Sequence, residues 1–90
     1  MKRENAETIA LQALAWLAAD EDEMNAFMGQ TGLDQAALRA GAGDAAFLGG
    51  VLDYILAEET RLMAFAEDAG LKPDVPARAR AALPGANPEW

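Results

Sequence analysis

The chain contains no cysteine, no histidine and no serine. Disulfides are therefore impossible, Cys/His zinc sites cannot form, and no Ser or Cys nucleophile can be paired with a His base. Strand formers are scarce too: Val occurs twice, Ile twice and Thr three times in 90 residues. No stretch approaches the roughly 18 consecutive apolar residues of a membrane span. Catalysis would fall to Asp, Glu, Tyr54, Lys or Arg alone. The expectation is a protein that is not an enzyme, needs no cofactor and enters no membrane, with carboxylate-only catalysis left open.

What is present is alanine and acid. Alanine supplies 22 of the 47 apolar residues, and it has the highest helix propensity of all residue types. An all-α fold follows. The formal charge is −8, from 15 acids and 7 bases, so the phosphate attraction that dominates nucleic-acid binding would be repulsive. Lys2-Arg3 ahead of "IALQALAWLAA" (residues 9–19) has the outline of a signal peptide, but Glu4, Glu7 and Gln12 interrupt it. Cytoplasmic residence is the expectation. The length suits one domain, read as residues 1–85 with a flexible tail over 86–90.

Residues 14–33, "LAWLAADEDEMNAFMGQTGL", align without a gap on residues 52–71, "LDYILAEETRLMAFAEDAGL". Seven of the 20 positions are identical, among them Phe27/Phe65, Gly32/Gly70 and Leu33/Leu71, and Trp16 aligns with Tyr54. An internal duplication is the reading, with copies over about 5–41 and 44–83 related by a pseudo-twofold. Each copy decodes as three helices, giving a compact bundle of five to six short ones. The first helix is expected from about Asn5, its N-cap, to Ala19. Its partner runs from the cap Asp44 to about Ala57, carrying Phe47, Leu48, Val51, Leu52, Ile55 and Leu56 as a broad apolar stripe.

The second helix of each copy starts at an acidic residue. Asp20 with Glu23 has capping-box spacing, and clustered carboxylates suit the partial positive charge of a helix N-terminus. Gly32 and Gly70 fit left-handed helix ends. In the third helices, Asp34 is a cap with Leu33 and Leu38 as a staple, and Asp74 is a cap with Pro76 in the first turn. The expected core is Trp16, Leu17, Met24, Phe27, Leu52, Tyr54, Ile55, Leu62 and Phe65, with the two long helices face to face. Trp90 either ties down the tail or offers a hook to another chain.

Four candidate sites come out of the sequence. "DEDE" (residues 20–23) fails as a calcium loop, because an EF-hand starting at Asp20 would place Met24, Asn25 and Thr31 where oxygen ligands, glycine and glutamate belong; it is read as a helix start. Glu7, Asp53 and Glu58 could converge as a carboxylate group, though without the histidines of di-iron bundles. "FMGQTGLDQAALRAG" (residues 27–41) has much of the spacing of a helix-turn-helix. Its counterpart near the C-terminus carries Lys72, Arg78 and Arg80 as candidate nucleic-acid contacts. Gly49-Gly50 lies inside a helix at about 1 kcal/mol per glycine, which reads either as a close helix–helix seam or as a groove for a partner. On the second reading Gly49, Gly50 and Asp53 form an interaction face, and Asp53→Arg should weaken partner capture without loss of helicity.

The strings "ETIALQALAWLAADEDEMNAFMGQTGLD", "FLGGVLDYILAEETRLMAFAEDAGL" and "ARARAALPG" resemble a family of short alphaproteobacterial proteins catalogued as a domain of unknown function. The resemblance covers about residues 6–85 and implies a small cytoplasmic helical protein with no assigned activity, cofactor or catalytic residues. The reading that follows is a non-enzymatic interaction or adaptor module, with an unidentified protein partner or self-association into a homo-oligomer. The alternative is a helix-turn-helix-like DNA-binding regulator working through the basic C-terminal helix.

Overall fold

Three of the helices begin on an aspartate side-chain cap, and two end on a left-handed glycine. In the computed structural model, which describes residues 1–84, the order is α1 (Arg3–Ala18), α2 (Glu21–Thr31), α3 (Gln35–Gly41), α4 (Ala45–Leu56), α5 (Glu59–Ala69) and α6 (Val75–Ala81). The expectations for the tail and for Trp90 lie outside the described residues. Asp20 accepts from the backbone N–H groups of Asp22 and Glu23 at 3.0 and 3.3 Å, Asp34 from Ala37 at 2.8 Å, and Asp44 from Ala46 at 2.9 Å. Each bond satisfies an N–H that the helix itself leaves unpaired. Gly32 and Gly70 close α2 and α5 at φ of +73° and +69°, where a Cβ would be strained.

Several starts differ from the sequence reading. The first helix begins at Arg3 rather than at an Asn5 cap, and Lys2 occupies its N-cap position without a side-chain bond. The Arg3–Glu7 pair at 3.3 Å and a bond from the Thr8 hydroxyl to the Glu4 carbonyl support the extra turn. Glu23 does not complete a capping box. The Asp20 N–H already donates to the Leu17 carbonyl, and the Glu23 carboxylate lies 3.7 Å from Arg61. Glu58 starts α5 with no side-chain cap bond and instead meets Arg61 at 3.3 Å. Asp74 sits in a helical conformation without capping α6 and pairs with Arg78.

The core forms where α1 and α4 pack together and α6 lies across both. From α1, Ala6, Ala10, Ala13 and Leu17 are fully buried; from α4, Val51, Leu52 and Ile55 are. Small alanines along α1 let neighbouring backbones approach closely, and Leu48, Ala79 and Leu83 fill the space around them. Of the nine side chains expected inside, six are buried, and Trp16, Met24 and Leu62 are only partly so. The radius of gyration is 12.0 Å, close to the ~12 Å expected of a folded chain of this length. Among the described residues no helix is long and apolar enough to cross a membrane.

The aromatic residues of the two aligned segments pack crosswise. Trp16 on α1 meets Phe65 on α5 edge-on, with centroids 5.8 Å apart, and Tyr54 on α4 meets Phe27 on α2 edge-on at 5.0 Å. The third helices do not follow this exchange. α6 is wedged against α1 and α4, whereas α3 touches the other helices only lightly and has no fully buried residue.

Candidate functional site

Gly49, Asp53 and Arg80 come together at the α4–α6 seam. The Arg80 guanidinium lies over Gly49, where an added Cβ would stand 2.8 Å from Nη1 and 3.3 Å from the Pro84 carbonyl oxygen. Arg80 Nε donates to Asp53 Oδ1 at 2.6 Å and Nη2 to Oδ2 at 3.1 Å, the two-pronged geometry that makes Arg–carboxylate pairs strong. Arg80 Nη1 donates to the Pro84 carbonyl at 3.0 Å, fastening the chain beyond α6 to α4. The Arg80 side chain is 13% exposed.

This geometry moves the two sequence-derived sites. Gly49 and Asp53, read either as a helix–helix seam or as part of an interaction face, are met by a residue of the same chain, and that residue is Arg80, the candidate nucleic-acid contact of the alternative reading. Gly50 is exposed, with open space where its side chain would be. Gly50→Ala should therefore raise stability by about 0.5–1 kcal/mol through helix propensity alone; an unchanged or lower urea midpoint would contradict this. Gly49→Ala gains the same propensity but must displace Arg80, so its midpoint should fall below that of Gly50→Ala.

The other candidate charged groups are held less tightly or pair elsewhere. Arg78 pairs with Asp74 at 3.7 Å on an exposed surface, while Lys72 is exposed in the turn before α6. Glu7, Asp53 and Glu58 do not converge: they meet Arg3, Arg80 and Arg61 respectively. Arg61 lies 3.8 Å from the centre of the Tyr54 ring and donates to the Tyr54 carbonyl at 2.6 Å. It thereby holds α5 to the end of α4. Among the described residues no three acids are grouped closely enough to hold a metal ion.

Among the described residues a concave feature lies elsewhere, between the C-terminal halves of α1 and α5. An open groove of about 350 Å³ is lined by Gln12, Ala15, Trp16, Phe65, Asp68 and Ala69. The Trp16 indole N–H donates to Asp68 Oδ2 at 2.7 Å, which meets the usual need of a half-buried indole for an acceptor. Asp68 meets no cation among the described residues. A family model described as a protein of unknown function, DUF3572, matches residues 3–86. The chain belongs to that family. No curated protein and no solved structure matches it.

For this DUF3572 member the groove was the feature that sequence reasoning missed. Trp16 reads as core from its helical spacing, and the signal that it sits at an edge is only its indole N–H. Which of 15 acids would accept that proton depends on how α5 is laid against α1.

Proposed function

We propose that the chain is a non-enzymatic protein-interaction module that docks a partner in the α1–α5 groove. The observation behind this reading is the groove itself: a half-buried tryptophan beside an exposed carboxylate, over an apolar floor of Ala15, Phe65 and Ala69. Apolar concavities with a few placed polar groups are where proteins bind, and tryptophan is enriched at the energetic centres of interfaces. The lack of Cys, His and Ser removes the commonest nucleophiles and bases. DNA binding through Lys72, Arg78 and Arg80 has less support, because Arg80 serves the α4–α6 seam and Arg78 shares its charge with Asp74.

Ala15 is exposed and lines the groove without joining the core, so Ala15→Gln should fill it while leaving the fold intact. Tagged wild-type and Ala15→Gln protein would be used for capture from source-cell lysate at low and moderate salt. A protein retained by the wild type at moderate salt and lost with Ala15→Gln supports the reading. Equal capture by both rejects the groove, and nucleic acid that washes off with salt would favour the regulator instead.

A further inference from the structure

We infer that the occupant of the α1–α5 groove is a lysine or arginine side chain carried by a basic segment of another protein. This rests on the interaction reading above and adds the chemistry of the partner. Three features of the groove favour a cation. Asp68 is exposed, and its Oδ1 has no partner among the described residues while Oδ2 accepts from Trp16. The Trp16 ring, half-buried against Phe65, offers the electron-rich surface that attracts ammonium and guanidinium groups.

The third feature is the direction of the helices. Ala15 and Trp16 lie in the last turn of α1, Asp68 and Ala69 in the last turn of α5, and neither turn contains a basic residue. Each helix C-terminus carries about half a negative charge from its aligned carbonyls, of which those of Leu17, Ala66 and Glu67 also accept from the backbone N–H groups that follow. Two such ends therefore add to Asp68 in one place. A carboxylate in that position is unfavourable for α5 by itself, and a cation in the groove would relieve all three.

Net charge decides between a foreign partner and a second copy. Two chains of −8 repel each other on approach, whereas a basic segment is drawn to this surface. The apolar floor at Ala15, Phe65 and Ala69 would receive the aliphatic stem of the same lysine or arginine, which commonly lies along apolar surface with its charged end free.

The test titrates the full-length, 15N-labelled chain with three short amphipathic peptides that pair leucine with lysine, glutamine or glutamate. The salt concentration is about 150 mM, where charges beyond about 8 Å are screened. A Trp90→Phe control identifies the indole N–H signal of Trp16. The Leu/Lys peptide should shift that signal and the Ala69 amide. Its affinity should fall about fivefold in Asp68→Asn, which keeps an acceptor for the indole, and less than about twofold in Glu67→Gln, which removes the same charge one residue away. Equal losses in the two variants would reduce the effect to net charge and overturn the inference. Tighter binding of the Leu/Gln peptide at Trp16 would overturn the cation while keeping the interaction reading. If no peptide moves the Trp16 signal, the groove fails for both.

Discussion

Phe65→Ala should lower the unfolding free energy by about 3–5 kcal/mol. Phe65 is fully buried and joins α5 to α1 through its edge-on contact with Trp16. Removing the ring loses its transfer free energy and leaves a cavity. The alanines that share its groove, Ala15 and Ala69, have no side-chain freedom to move into that space. A domain of this length has about 5–13 kcal/mol of stability in all, so the variant should approach its unfolding midpoint near neutral, denaturant-free conditions at modest temperature. Urea unfolding followed by far-ultraviolet circular dichroism measures this directly. Met63→Ala, on the same helix at a residue 46% exposed, should change stability by no more than about 0.5 kcal/mol. A loss below about 1 kcal/mol for Phe65→Ala would mean that the α1–α5 contact is not part of the cooperative core.

Asp53→Arg should destabilise by about 2–3 kcal/mol, the range of charge-assisted hydrogen bonds lost from a partly buried partner. The change removes both acceptors of the Arg80 fork and sets a second guanidinium beside it. Arg80 cannot simply swing outward, because it also donates to the Pro84 carbonyl and is only 13% exposed. Asp53 is 50% exposed, so water moderates the effect, and the about 3–5 kcal/mol typical of breaking a fully buried pair is not reached. Adding Arg80→Ala to Asp53→Arg should recover part of the loss, since the remaining arginine then has no like charge against it. This separates the seam from an interaction face: a residue serving only a partner would leave the unfolding midpoint unchanged. A double variant no more stable than Asp53→Arg alone would reject the like-charge account.

Much of the fold was readable from short-range rules. Asp20, Asp34 and Asp44 cap their helices because an Asp placed ahead of an apolar-periodic stretch has backbone N–H groups within reach of its own carboxylate. Gly32 and Gly70 adopt positive φ because little else tolerates that conformation cheaply. The same rules failed where an acid expected to cap found an arginine instead, whether in the next turn of its own helix, as for Glu58 and Asp74, or 38 residues away, as for Glu23. Glu23 and Glu58 turn away from their helix starts toward Arg61, and Asp74 turns toward Arg78. Asn5 lies inside α1 because its neighbours, the Arg3–Glu7 pair and Thr8, already support another turn.

By itself, the sequence determined that this is an all-helical protein without Cys, His or Ser chemistry, and it located the three aspartate caps Asp20, Asp34 and Asp44, the glycine ends and most of the large core residues. Those are consequences of composition and of interactions spanning three or four residues. Only the tertiary structure decided what Gly49, Asp53, Arg80, Trp16 and Asp68 do. Asp53 and Arg80 are 27 residues apart, and Trp16 and Asp68 are 52 apart. No periodicity relates such positions. Their pairing depends on how α6 lies across α4 and how α5 lies along α1, which burial of the alanine-lined core sets for the chain as a whole.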